Sequence, residues 1–173
     1  YNQRGHEVLR IVAVNTDDGK VWSLIEDAPE TFVNYFQKLF VYFLDEQSEI
    51  IWMSERDGWN HLYRFDAKTG KLINQITTGK WPVRGVDWID LDKKQIWFRA
   101  CGIYPDQDPY YVHHCRVNFD GTGMVRLTAG DGTHYVHYSP NGRYLVAKYS
   151  RVDLPPVHEL RRTEDGSLVC QLE

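Results

Sequence analysis

The sequence predicts an all-β fold: a partial β-propeller of about three and a half four-stranded antiparallel blades. Three observations predict it. The composition is 14% aromatic, with six Trp and eleven Tyr, an enrichment that suits pleated, half-buried strands better than helices. Four polar turns of one kind recur: Asp17-Asp18-Gly19-Lys20, Lys68-Thr69-Gly70-Lys71, Asp120-Gly121-Thr122-Gly123 and Glu164-Asp165-Gly166-Ser167. Gly19, Gly70, Gly121 and Gly166 stand 51, 51 and 45 positions apart, a period that fits a blade of roughly 40 to 50 residues. Short apolar segments lie between these turns, most plainly from Ile50 to Leu72. There a buried strand, a polar loop, a strand with aromatics at alternate positions and a tight turn follow one another as a β-meander.

With the strands of each blade labelled a to d from the hub outward, the first unit has only c and d, Glu7 to Asn15 and Val21 to Ile25. The next has a near Asn34 to Phe43, b at Ile50 to Ser54, c at His61 to Phe65 and d at Leu72 to Thr77. The third runs through Gly85 to Ile89, Gln95 to Cys101, Tyr110 to Phe119 and Met124 to Thr128. The last uses His134 to Tyr138, Tyr144 to Tyr149, Val157 to Arg162 and Leu168 to Leu172. These define a half blade over 1–28 and blades over 29–78, 79–128 and 129–173. A closed ring uses about 4 to 8 blades, so apolar blade faces at the two ends are expected to be covered by another domain or by self-association.

The connections are asymmetric. The a to b turns (Asp45 to Ser48, Asp90 to Lys94, Ser139 to Gly142) and the c to d turns are short and polar, and strand alternation puts them at one rim. The b to c loops (Glu55 to Asn60, Gly102 to Pro109, Ser150 to Pro156) and the d to a loops (Glu26 to Thr31, Gly79 to Arg84, Ala129 to Thr133) are longer and share the other rim. Function on a rigid scaffold concentrates on such loops.

Charge and composition exclude more than they name. The formal charge of -4 is spread along the chain, and the absence of a basic patch argues against a nucleic acid partner. No apolar run approaches the roughly 20 residues of a membrane span. A chain that begins YNQRGH, without Met, reads as part of a longer one. Three cysteines give no even framework; Cys101 and Cys115 fall on neighbouring strands, and three free thiols is the simpler reading.

None of the six serines sits in a G-x-S-x-G elbow, so no acyl hydrolysis is expected of this chain by itself. His113, His114 and Cys115 are consecutive on a strand and alternate faces, which argues against a metal site; no cofactor is expected. Arg56 and Asp57 beside Trp59, and Trp81 with Arg84, are candidates for a cleft in which a guanidinium holds a carbonyl or carboxylate while an indole covers an apolar group. The competing reading packs the indoles between blades and pairs the arginines with carboxylates. Tyr104 to Tyr111, YPDQDPYY, reads as a Pro-stiffened rim loop that makes Tyr104 and Tyr110 candidates for contact with a partner.

The segments NQRGHEVLRIVAVNTDDGK, EIIWMSERDGWNHLYRFD and GVDWIDLDKKQIWFRACGIYPDQDPYYVHHCRVNFDGTG resemble the C-terminal half of the propeller of dipeptidyl-peptidase IV-like serine peptidases, in the prolyl oligopeptidase clan. YSPNGRYLVAKY resembles the more general F-S-P-D-G hairpin of related propellers. The resemblance implies an eight-bladed propeller facing an α/β-hydrolase domain that removes Xaa-Pro dipeptides from peptide N-termini. In it the propeller admits the peptide substrate and helps hold its N-terminal end. By the same analogy the parent is extracytoplasmic, periplasmic or secreted, and the hydrolase domain is a partner within the parent chain. The family's paired glutamates have no counterpart here, since the chain contains no Glu-Glu. Its catalytic triad belongs to the hydrolase, so no catalytic residue is assigned. A non-catalytic propeller that binds a protein partner through its long-loop rim is the alternative.

Overall fold

The computed structural model describes residues 1–34 and 39–172. They form four antiparallel sheets in chain order. The first pairs β1 (Leu9–Val14) with β2 (Val21–Asp27). The second is the meander β3 (Val41–Leu44), β4 (Glu49–Ser54), β5 (His61–Asp66) and β6 (Leu72–Gln75). The third contains β7 (Val83–Asp90), β8 (Gln95–Cys101), β9 (Val112–Asn118) and β10 (Val125–Arg126). The fourth contains β11 (Thr133–Tyr138), β12 (Tyr144–Arg151), β13 (Leu154–Arg162) and β14 (Leu168–Leu172). Each four-stranded sheet pairs only sequence neighbours, which is the topology of a blade. Residues 35–38 of the expected first a strand lie outside the described residues.

The chain divides into two compact units, Tyr1–Thr78 and Gly79–Glu173. In the first, Leu9, Ile25, Val33, Ile50, Trp52, Tyr63 and Phe65 form one buried cluster. In the second, Trp97, Leu127, Leu145 and Ala147 do so. The middle strands are covered on both faces: Ile50, Ile51, Trp52, Met53 and Ser54 are buried in succession on β4. A continuous apolar run is what such a doubly covered strand requires.

The recurring glycine turns have a packing reason at two positions. Gly70 has φ +68°, and a Cβ there would overlap the backbone carbonyl of Leu24. Gly166 has φ +74°, and a Cβ there would overlap the carbonyl of Arg126. In each case the c to d turn lies against the outermost strand of the preceding sheet, closer than any side chain permits.

Two expectations need correction. Ser150 to Pro156 is not a long loop: β12 and β13 continue to Arg151 and Leu154, leaving Val152 and Asp153 as the turn. Pro155 and Pro156 are accommodated because the register shifts between Tyr149 and Arg151, and a bulge tolerates residues that cannot donate to the ladder. Arg84 belongs to β7, not to the loop before it.

Candidate functional site

The end of β2 and the turn after β4 create the best-defined cleft of the first unit. Its volume is about 180 Å³, and Asp27, Pro29, Val33, Ser54 and Arg56 are among the residues that line it. At its floor Asp27 is buried and accepts three hydrogen bonds. Trp52 Nε1 donates to Oδ2 at 2.6 Å, Ser54 Oγ to Oδ1 at 2.7 Å, and Arg56 Nη2 to Oδ1 at 2.5 Å. Arg56 Nε also donates to Ser54 Oγ at 3.0 Å. The guanidinium carbon stands 5.2 Å from the ring centre of Tyr63 and 4.9 Å from that of Phe65. Three fixed partners and two ring faces immobilise this side chain.

The arrangement has a definite chemical capacity. Asp27 neutralises the guanidinium, so the cleft offers Arg56 as an oriented hydrogen-bond donor, better suited to a neutral carbonyl than to a free carboxylate. Arg56 Nη1 makes no hydrogen bond among the described residues. Beside the cleft, Asp57 accepts from Gln75 Nε2 at 2.6 Å and from the Trp59 amide at 3.0 Å. Burial alone would raise the Asp57 carboxyl, but these bonds and nearby His61 hold it below the usual carboxylate range. Burial, and then the charge of Asp57, push the Tyr63 hydroxyl in the opposite direction, well above an ordinary phenol.

The other candidates are dispersed. Trp59 is exposed on the β4–β5 turn. In the second unit, Trp81 stacks on Phe98 with ring centres 6.1 Å apart and planes 12° apart, and stands beside Gly102 of the following b to c loop. Arg84 is exposed on β7. Tyr104 donates from its hydroxyl to the Thr128 carbonyl at 2.8 Å, lies edge-on to His113 and is covered by Arg126 at 4.8 Å. Tyr110 is 85% exposed. Arg56 thus pairs with a carboxylate and Trp81 lies half-buried against Phe98 of its own sheet, while Trp59 and Tyr110 are displayed.

Among the described residues no cluster of three His, Cys, Asp or Glu side chains placed to hold a metal ion occurs. His114 pairs through Nδ1 with Asp87 at 2.7 Å, and His113 and His134 face each other with ring centres 4.7 Å apart. Cys101 lies opposite Val112 and Cys115 opposite Phe98 in the ladder, and all three cysteines are free.

Sequence reasoning missed a repeated clasp. Thr77 Oγ1 accepts from the Leu62 amide at 3.0 Å and Thr128 Oγ1 from the His114 amide at 3.0 Å, each beside the histidine before that amide, His61 or His113. The threonines stand 51 positions apart, each two residues before a glycine, Gly79 or Gly130. That recurring Thr-x-Gly was the available signal.

Comparison with known proteins places this architecture. A family model described as the dipeptidyl peptidase IV (DPP IV) N-terminal region matches residues 1–156. A probable dipeptidyl peptidase 4 of Arthroderma benhamiae is 29% identical over 116 residues, covering 66% of this chain and 14% of that protein. Dipeptidyl peptidase 4 of Trichophyton equinum is 28% identical over the same length. Among solved structures, Porphyromonas gingivalis dipeptidyl peptidase 4 matches with a TM-score of 0.71 and 20% identity, over 97% of this chain and 23% of that one. A putative dipeptidyl aminopeptidase IV of Bacteroides ovatus matches with 0.72 and 21%, over 98% and 26%. The structural likenesses fit a partial β-propeller, and the chain spans only a minor share of each relative's length. The blade topology, together with a family match over residues 1–156 of 173, shows that the chain belongs to the dipeptidyl peptidase IV N-terminal region family.

Proposed function

We propose that this chain is a substrate-gating and positioning part of a dipeptidyl-peptidase IV-like serine peptidase, whose hydrolase domain lies outside this sequence and releases Xaa-Pro dipeptides. The observation that carries the reading is the Asp27–Ser54–Arg56 cleft, formed by a d to a loop and a b to c turn within a family member. Its immobilised donor suits a peptide carbonyl, and the Pro29 and Val33 surfaces suit an apolar side chain. Chemistry belongs to the hydrolase; this chain supplies orientation and access.

The test uses the full-length protein. Labelling by a serine-reactive fluorophosphonate together with release of Xaa-Pro dipeptides is the expected result. Arg56→Gln should then raise KM for peptides of six or more residues by about tenfold, with kcat on a chromogenic Xaa-Pro substrate nearly unchanged. A folded full-length protein with neither labelling nor release overturns the peptidase reading. It would favour the second one, a non-catalytic partner-binding propeller, for which the exposed Trp59 and Tyr110 are the motivating observation. Exposed apolar side chains on β1–β2 (Val12, Val14, Trp22) and on β14 (Leu168, Val169) support association of this chain through its outer sheets. Light scattering of the isolated chain should show a dimer or larger species, and a strict monomer would reject this.

A further inference from the structure

The larger cleft lies elsewhere, in the second unit, at the blade ends that carry the a to b and c to d turns. It has a volume of about 500 Å³ between the third and fourth sheets. Four cationic side chains line it: Lys93 before β8, Arg116 on β9, Arg143 before β12 and Arg162 at the end of β13, against Glu164 as the single acidic one. This is a local reversal of sign in a chain whose net charge is -4.

Three features make it a built site. The first is unmet cationic capacity. Lys93 pairs with Asp90 at 3.2 Å, but among the described residues Arg116, Arg143 and Arg162 form no ion pair. Arg116 Nη2 donates to the backbone carbonyl of Glu164 at 2.6 Å and Arg162 Nη1 to the Tyr144 hydroxyl at 3.4 Å, neither of them a carboxylate contact.

The second is unmet donor capacity. Trp97, 2% exposed, lines the cleft, and its Nε1 is buried without a hydrogen bond, as is Nε of Arg116. An unsatisfied buried donor is destabilising, and a partly buried guanidinium without a counter-ion more so. Burial accordingly weakens the hold of Arg116 on its proton, with only Glu164 opposing.

The third is rigidity. Arg116 lies over the Trp97 ring at 5.9 Å, Trp97 stacks on Trp88 at 4.3 Å, and Thr163 Oγ1 donates to the Gly142 carbonyl. The last bond fixes the β13–β14 turn to the β11–β12 turn. Donors held in advance at fixed positions favour binding, because little ordering remains to be done.

The geometry points to this cleft as a binding site for a multivalent oxyanion, phosphate- or carboxylate-bearing, seated between Arg116 and the Arg143–Arg162 pair. Guanidinium forks match both oxyanion classes bidentately. The volume exceeds what one phosphate needs and suits a ligand with two or three anionic groups. The inference does not depend on the peptidase reading, since none of these residues lines the first cleft.

Isothermal titration of the full-length protein with inorganic pyrophosphate, and separately with tricarballylate, tests it at low ionic strength. Saturable one-site binding by at least one anion is expected, weakened about tenfold or more by the pair Arg143→Gln and Arg162→Gln and progressively by added chloride. Pyrophosphate binding alone assigns a phosphate ligand, tricarballylate alone a carboxylate one, and both the shared chemistry. Arg143 and Arg162 are surface residues whose loss should leave unfolding midpoints unchanged, so an effect on binding is separable from misfolding. No saturable binding of either anion, or equal affinity in the double variant, overturns the proposal.

Discussion

The indole of Trp52 donates to the carboxylate of Asp27 at 2.6 Å across 25 residues of sequence, tying the b strand of one sheet to the end of the preceding d strand. Asp27 serves Ser54 and Arg56 with its other oxygen. One buried acid therefore closes the floor of the first cleft.

Removing that acid should be costly. Asp27→Ala strands the Arg56 charge and the Trp52 donor, and should lower stability by about 3 kcal/mol in urea denaturation. Arg56, whose side chain is 29% exposed, should cost about 1 kcal/mol as Arg56→Gln. A double-mutant cycle should give a coupling of about 1–2 kcal/mol; a coupling near zero would mean that the pair is not an energetic unit.

The repeated turns should respond unequally to the same substitution. Gly19 has φ +71° with nothing within 4 Å of an added Cβ, whereas at Gly70 that atom would overlap the Leu24 carbonyl. Gly19→Ala should cost about 1 kcal/mol, the strain of a left-handed residue. Gly70→Ala should cost about 3 kcal/mol or more, because backbone must also move. Urea midpoints of the two variants decide it, and equal losses would refute the close approach.

Stability should fall in acid through the facing histidines. Burial holds His113 at about 4 and His134 at about 3, and His113 further disfavours charge on His134. Both values lie below the unfolded one of about 6.5. As pH falls the unfolded chain therefore takes up protons first, so this contribution is complete above about pH 6.5 and is lost progressively toward pH 3 to 4. A loss of roughly 6 kcal/mol from the two groups together between pH 7 and pH 4 is expected, with a shallower slope in the variant His113→Asn with His134→Asn. Unaltered slope in that variant would exclude the pair as the source.

The thiols should separate by exposure. Cys170 is exposed, while Cys101 and Cys115 are buried, and burial pushes Cys115 up to about 12 and raises Cys101 as well. A thiolate-selective reagent should therefore modify Cys170 quickly in the native chain and the other two only after denaturation. Rapid native labelling of Cys115 would contradict the packing of β9.

The strand plan was legible because its signals are local: apolar runs, polar turns and glycines at a fixed period. The β12–β13 hairpin was not, since Pro155 and Pro156 read as a loop until the shift in register shows how a strand accommodates them. Alternation separates His114, which meets Asp87, from His113, which meets Tyr104 and His134, but it does not show that both faces are buried; a strand covered on both sides has no solvent face for parity to reveal. The first cleft was half visible. Arg56 stood out beside Trp59, but its partner Asp27 is 29 residues away, and that pairing depends on how a d strand meets the following sheet. The cationic cleft was invisible for the same reason: Arg116, Arg143 and Arg162 are scattered along the chain and converge only through turns of adjacent sheets.

The threonine clasps give the chain two natural gauges of its outermost strands. The amide protons of Leu62 and His114 are held by hydroxyls from Thr77 and Thr128, just beyond β6 and β10, which are only 4 and 2 residues long. So short a strand is an early candidate to peel from its sheet. Each time it does, its hydroxyl leaves and one amide becomes free to trade its proton with solvent. The exchange rates of those two amides, compared with their ladder-bonded neighbours, would time the loosening of each blade's outer edge separately.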